Sequence, residues 1–190
     1  MESELFIKAK KYIACLFSDD AGGHDEDHTL RVYENAMKIA ATYDCDTTTV
    51  ALAALLHDAD DYKLFDTEDL MNARTFMREN GVSSEKEEEV CRVIEQVSFS
   101  ENRDTRPSSI EAMIVRDADR LDAMGAIGIA RTFAYGGQRG KKLSRSVEHF
   151  HQKLLLLKDM MTTEKGREMA EKRHAFLVSF LKELEEETEQ

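Results

Sequence analysis

Apolar residues recur every three or four positions along most of the chain, a spacing that places them on one face of an α-helix. This periodicity predicts amphipathic helices over residues 2–17, 27–43, 66–80, 145–161 and 164–187. The segment VALAALLHD, residues 50–58, is apolar on almost every side, which predicts a helix at the centre of the core. No run with the strand period is long enough to predict a sheet, so we expect an all-α protein.

Local signals predict several helix ends. The segment DCDTTT supplies helix-cap residues, and SSEKEEEV places a serine three residues before Glu87, as in a capping box. Gly81 is placed to end the helix over residues 66–80, and Pro107 is expected in the first turn of the next helix, which carries IEAMIVRDADRLDAM. Residues 125–137 either continue that helix or form a following one.

Composition and charge narrow the function classes. The 190 residues predict one domain, and 42% apolar residues are enough for a real core. The formal net charge of −12 repels nucleic acid backbones and acidic membranes, so we expect neither a nucleic acid duplex nor a membrane as partner. Three widely spaced cysteines, with no signal peptide and no apolar run of 18 residues, predict a cytoplasmic protein.

Acidic groups and imidazoles interrupt three of the apolar helices. His57 and Asp58 end the most apolar one, His28 opens the second predicted helix, and RDADRLDAM places Asp117 and Asp119 among apolar residues. Such groups are costly inside an apolar pattern unless they pair or coordinate an ion. Mixed imidazole and carboxylate donors suit a divalent transition metal. From the residues alone, surface pairs, helix caps and salt-bridged faces remain equal alternatives to a metal site.

The order of these residues resembles a known family. His28, then HD at His57 and Asp58, then Asp119 in ADRLDA matches the H…HD…D signature of HD-domain metal-dependent phosphohydrolases. The segments GHDEDHTLRVYENA, ALLHDADDYK and IVRDADRLDAMGAIGIARTFAYGG look like a subgroup of small bacterial HD hydrolases that includes nucleotide phosphohydrolases and a nucleoside-triphosphate pyrophosphohydrolase. The resemblance implies a single HD-domain helical bundle over residues 1–190. Its metal-binding core would cover about 24–125, with additional C-terminal helices at about 145–187 packing on it.

The resemblance also implies the residues of a site. The metal ligands would be His28, His57, Asp58 and Asp119, with Asp117 as the competitor for the fourth place. They would hold one divalent transition metal ion, Mn²⁺, Fe²⁺, Co²⁺ or Ni²⁺, with Mg²⁺ as a further candidate.

Further residues are candidates for the reaction itself. An acidic residue at the offset of Asp61 serves in proton transfer in related HD nucleotidases, and Asp61 lies one helical turn after Asp58 if the helix continues. Arg31 and Lys63 are the candidates for binding phosphate, and a salt bridge to a nearby aspartate is the alternative for each. Asp60 is expected on the surface, and Asp61 is a solvated loop carboxylate in the competing interpretation.

The function predicted from these features is hydrolysis of a phosphate ester or phosphoanhydride in a nucleotide-like small molecule. Release of pyrophosphate and release of phosphate both remain open, and a homodimer is a candidate assembly. The alternative functions are a non-catalytic helical module that binds a metal or a nucleotide, and a helical scaffold without a metal.

Overall fold

The protein is described from a computed structural model that covers residues 3–18, 26–62, 64–102 and 105–188, without the side chains of residues 100 and 101. These ranges contain helices and no strand, which confirms the predicted all-α class. Seven helices precede Ala123: α1 (Glu4–Leu16), α2 (Glu26–Ala40), α3 (Thr47–Leu56), α4 (Met71–Glu79), α5 (Ser84–Ile94), α6 (Phe99–Asn102) and α7 (Ile110–Asp122). They are followed by α8 (Gly125–Gln138), α9 (Leu143–Gln152), a 3₁₀ helix (Leu154–Met160) and α10 (Glu164–Thr188).

The chain divides into two compact units between Asp119 and Arg120, within α7. In the first unit, α3 is the central helix: every residue from Thr49 to Leu56 is buried, and α3 contacts α1, α2 and α5. Its all-round apolar sequence therefore predicted its central position correctly. The Asp46 carboxylate begins α3 by accepting hydrogen bonds from the backbone N–H groups of Thr48 and Thr49, at 2.9 and 3.2 Å.

The second unit is held by α8, α9, the 3₁₀ helix and α10. Phe133, Phe150 and Phe180 form an aromatic cluster whose ring centroids are 5.7 to 6.0 Å apart. The predicted helix over residues 145–161 is instead α9 followed by the 3₁₀ helix, with a break at Lys153. The prediction of a single domain over residues 1–190 stays a prediction.

The connection between α4 and α5 follows the predicted glycine signal. Gly81 has a φ of +73°, and the Val82 N–H donates to the Met77 carbonyl at 3.0 Å, so α4 ends in a Schellman motif. The serine that caps α5 is Ser83, which accepts from the Lys86 N–H at 3.3 Å. The predicted capping box with Glu87 is wrong, because the Glu87 carboxylate binds Arg74 and Arg78 instead.

Two predicted helix starts are wrong, and the structure decides between two alternatives that the sequence left open for residues 125–137. Helix α4 begins at Met71 rather than near residue 66, because the backbone at Asp69 and Leu70 is left-handed, each with a φ of 53°. Pro107 lies before α7 and not in its first turn. Residues 125–138 form a separate helix, since Gly125 has a φ of 67° and breaks the continuation of α7.

No helix in the described part of the chain combines the length and the apolar character that crossing a membrane requires. Cys15, Cys45 and Cys91 are free, and Cys91 is buried.

Candidate metal centre

Three helices of the first unit bring the candidate ligands to one place. His28 lies in the first turn of α2, His57 is the C-cap residue of α3, and Asp119 lies near the end of α7. Because α3 is buried from Thr49 to Leu56, its C-terminal end delivers His57 and Asp58 directly from the core to the site. His57 keeps a helical backbone, with φ of −61° and ψ of −30°.

The four predicted ligand side chains converge. The Nε2 atom of His28 lies 3.4 Å from Asp58 Oδ2 and 3.5 Å from Asp119 Oδ1. The Nε2 atom of His57 lies 3.4 Å from Asp58 Oδ1 and 3.9 Å from Asp119 Oδ1. One donor atom each from His28, His57 and Asp119 falls within a mutual distance of 4.8 Å, and Asp58 contacts the two imidazoles through different oxygens.

The His57 ring has a defined orientation. Its Nδ1 lies 2.9 Å from the carbonyl oxygen of Ala54, and because a carbonyl oxygen only accepts, Nδ1 carries the proton. In the neutral ring, Nε2 then presents its lone pair. This Nε2 atom is buried and has no hydrogen-bond partner among the described residues, although two carboxylate oxygens face it. A lone pair facing carboxylates is unfavourable unless a cation lies between them.

A divalent ion fits this arrangement. Donor atoms held at about 2.1 Å from one ion lie roughly 3 Å apart when adjacent and about 4 Å apart when opposite. The histidine-to-carboxylate separations of 3.4 to 3.9 Å fall within that range. Two imidazoles with two carboxylates form a nitrogen–oxygen donor set of the kind that Mn²⁺, Fe²⁺, Co²⁺ and Ni²⁺ accept. A divalent ion at this point would give the Nε2 of His57 the partner that the described residues do not supply.

Burial shows where the site opens to solvent. The side chains of His28 and His57 are each 3% exposed, that of Asp58 is 13% exposed, and that of Asp119 is 24% exposed. The group is therefore most open to solvent on the Asp119 side.

The structure distinguishes the two candidate aspartates of α7. Asp119 contacts both histidines, whereas Asp117 is fully buried and is not a member of the group of donor atoms. Residues two apart on a helix point about 200° apart, so the two carboxylates cannot face the same centre. The geometry therefore favours Asp119 for the fourth place.

The remaining predicted residues are placed as follows. Arg31 is half-buried on α2, three residues after His28 and therefore on the same side of the helix. Asp61 is half-buried, but α3 has already ended, so Asp61 lies in a tight turn in which its N–H donates to the Asp58 carbonyl at 3.1 Å. Lys63 lies outside the described residues, and its predicted role stays a prediction.

Asp60 is the residue of this region whose environment the sequence did not predict. It is half-buried rather than on the surface, and its carboxylate accepts from the backbone N–H groups of Asn72 and Ala73 at 2.8 and 3.0 Å. No local pattern could have revealed this contact, because its partners are 12 and 13 residues away in the chain.

Comparison with known proteins gives consistent results. The family model of the HD domain matches residues 26–124, a range that contains all four converging side chains. The protein YpgQ of Bacillus subtilis is 39% identical over 186 residues, which cover 94% of this chain and 91% of YpgQ.

Solved structures agree in fold over nearly the whole chain. A structure of Bacillus subtilis YpgQ in complex with ADP has a TM-score of 0.85 at 35% identity and covers 97% of this chain and 95% of that one. An HD-superfamily hydrolase from Bacillus thuringiensis has a TM-score of 0.80 at 34% identity and covers 98% of this chain and 97% of that one. This chain therefore belongs to the HD-domain family, whose fold supports a metal-dependent phosphohydrolase as its general function.

Proposed function

We propose that this protein hydrolyses a phosphate ester or phosphoanhydride of a nucleotide-like small molecule, with one divalent ion held by His28, His57, Asp58 and Asp119. The observation that carries the proposal is the buried Nε2 of His57, which has no hydrogen-bond partner among the described residues and faces two carboxylates. A divalent ion bound there would neutralise charge on phosphoryl oxygens and make water acidic enough to attack near neutral pH.

The side chains of the site would divide the remaining work. Asp61 is proposed to transfer the proton of the attacking water or of the leaving group, because its backbone N–H ties it to the carbonyl of Asp58. Arg31 is proposed to bind phosphoryl oxygens from the side of α2 that carries His28, since a guanidinium offers two parallel hydrogen bonds. Lys63 would contact a second phosphate group.

The nucleotide-like substrate is supported by the chemistry of the site and by a relative. The chain carries a net charge of −12, so an anionic substrate needs the local positive charge of a metal and of basic residues to approach. YpgQ, which is similar over nearly the whole chain, has been solved in complex with ADP. The two candidate phosphate-binding residues, Arg31 and Lys63, favour a polyphosphate over a monophosphate, and the product, phosphate or pyrophosphate, is what the test below distinguishes.

The test is a screen of metals against nucleoside mono-, di- and triphosphates that measures phosphate and pyrophosphate separately. We expect hydrolysis with Mn²⁺ or a neighbouring transition metal and its loss on chelation. Asp61→Asn should lower kcat by about 10²–10⁴-fold while metal binding is retained, because only proton transfer is removed. Inactivity with every metal and every nucleotide would refute the hydrolase and favour the non-catalytic binding module.

The ligand assignment has its own test. His57→Ala and Asp58→Ala should each abolish stoichiometric metal binding, measured by elemental analysis, while circular dichroism shows that the helix content is kept. The matched control is His151→Ala, which removes an exposed histidine of α9 and should leave the bound metal unchanged. Stoichiometric metal in the His57 or the Asp58 variant would contradict the proposed ligands.

A further inference from the structure

The turn that follows α3 is attached to the start of α4 by three hydrogen bonds. The Asp60 carboxylate accepts from the backbone N–H of Asn72 at 2.8 Å through Oδ1 and from that of Ala73 at 3.0 Å through Oδ2. In the opposite direction, the Asn72 side chain donates its Nδ2–H to the carbonyl oxygen of Ala59 at 2.8 Å. Residues 59 and 60 directly follow the candidate ligands His57 and Asp58. Both are thus attached to α4, residue 59 through its carbonyl oxygen and residue 60 through its carboxylate. We refer to Asp60 and Asn72 together as the turn clamp.

Helix α4 is built so that it depends on this contact. Its own N-cap residue, Leu70, has an apolar side chain and makes no side-chain cap hydrogen bond. Asp69 and Leu70 both adopt a left-handed backbone, with a φ of 53° each, which residues other than glycine rarely adopt. The N-terminus of α4 is therefore capped by Asp60, which lies in the turn after α3. The two strained residues directly before α4 allow the chain to begin the helix at this position.

The turn clamp is itself anchored. The Asn72 carbonyl oxygen accepts a hydrogen bond from the Tyr12 hydroxyl of α1 at 3.3 Å, and the Arg74 Nε–H donates to the Asp69 carbonyl at 2.9 Å. The start of α4 is consequently fixed to α1 and to its own preceding loop. A turn attached to this point has little freedom to rotate.

We propose that Asp60 and Asn72 are positioning residues for the metal centre, which hold the backbone of residues 59 and 60 so that the His57 imidazole and the Asp58 carboxylate face His28 and Asp119. This inference rests on the proposed function, because it presumes that the four side chains bind a metal. The reason is that Asp58 contacts the two imidazoles through different oxygens, so a small rotation of its backbone breaks both contacts at once. Partners that orient metal ligands affect affinity without touching the ion.

A simple helix cap is the competing explanation, and the chain offers a matched control for it. Asp46 begins α3 as Asp60 begins α4, by accepting from two consecutive backbone N–H groups, those of Thr48 and Thr49. A merely structural role predicts that Asp60→Ala and Asp46→Ala lower the free energy of unfolding and leave the metal affinity of the folded protein alone. A positioning role predicts that Asp60→Ala also weakens metal binding, whereas Asp46→Ala does not.

The experiment measures Mn²⁺ affinity of the full chain by electron paramagnetic resonance titration, at a temperature where circular dichroism shows each variant to be folded. We expect Asp60→Ala to weaken Mn²⁺ binding by about 10–100-fold and Asp46→Ala to leave it unchanged within about twofold. Asn72→Ala should weaken it less than Asp60→Ala, since the backbone N–H of residue 72 remains. Asp60→Asn, whose single amide oxygen can still accept one of the two N–H groups, should recover part of the affinity.

The outcomes separate the two proposals. Wild-type Mn²⁺ binding together with unchanged affinity in folded Asp60→Ala and Asn72→Ala would overturn the turn clamp and leave the metal centre standing. An equal loss of affinity in Asp46→Ala and Asp60→Ala would also overturn it, because the effect would then follow general helix capping. A wild-type protein that binds no divalent ion would refute the proposed function, and the positioning role with it.

Discussion

Glu87 provides a sharp test of how the first unit is stabilised. Its side chain is only 4% exposed, and its carboxylate accepts three hydrogen bonds: from Arg74 Nη1 at 2.9 Å, from Arg78 Nε at 2.9 Å and from Arg78 Nη2 at 2.7 Å. These contacts join α4 to α5, which packs against α3. The substitution Glu87→Gln keeps the size of the side chain, removes its charge and turns an amide N–H₂ toward two guanidinium groups.

The expected loss of stability follows from the exposure of the partners. Removing one member of a buried ion pair typically costs about 3–5 kcal/mol, because the other charge is left uncompensated. Here the Arg78 side chain is 64% exposed and regains water, and Arg74 retains its contact with Glu88. We therefore expect the lower end of the range, about 3 kcal/mol, which corresponds to a fall in Tm of roughly 6–12 °C for a chain of this size.

The assay is urea unfolding at pH 7 followed by circular dichroism at 222 nm, with an unchanged m-value as the check that only stability has changed. The control is Glu88→Gln, which alters the exposed partner of the same Arg74 and should give no resolvable change, because exposed ion pairs contribute little. Mn²⁺ affinity of folded Glu87→Gln should equal that of the wild type. Equal unfolding free energies for the two variants would refute the reasoning.

Two further predictions concern titratable groups. Partial burial raises the pKa of Asp46, but hydrogen bonds from Lys86 and from Thr48 and Thr49 outweigh it and lower this pKa from 3.8 to about 2. The ionised Asp46 carboxylate therefore stabilises the folded state above pH 3.8, and this stabilisation is lost as the pH falls toward 2. The free energies of unfolding of the wild type and of Asp46→Asn should converge as the pH approaches 2. A difference that stays constant with pH would contradict this. Burial raises the pKa of the Cys91 thiol to about 11, so iodoacetamide at pH 8 should label the exposed Cys15 and spare Cys91 in the folded protein, as peptide mass mapping will show. Equal labelling of both thiols would contradict the burial of Cys91.

Much of the candidate site could be predicted because its residues follow one another along the chain in the order of a known family signature. His28, His57, Asp58 and Asp119 were named from the signature that they share with HD-domain hydrolases, and they converge in the folded chain. The signature already favours Asp119 over Asp117, and the contacts of Asp119 with both histidines are consistent with that preference. Both are acidic residues in the same apolar helix, and the rotation of α7 turns Asp119 toward the two histidines.

The position of Asp61 shows how a local assumption fails. A continued helix would have placed it one turn after Asp58, but α3 ends at Leu56 and a tight turn follows. The residues after Leu56 include three aspartates within four positions, and aspartate is a poor helix former. The sequence therefore indicates that α3 ends in this region but does not give the residue at which it ends.

The sequence by itself determined the helical class, the central position of α3 and the identity of the converging side chains. Helix period and apolar character are properties of short windows, and the order of a signature is visible without coordinates. Only the tertiary structure decided that α4 begins at Met71, that Glu87 binds two arginines and that Asp60 caps a helix 12 residues away. These features arise from contacts between segments that meet only after folding, and the energy of such contacts can override local preference.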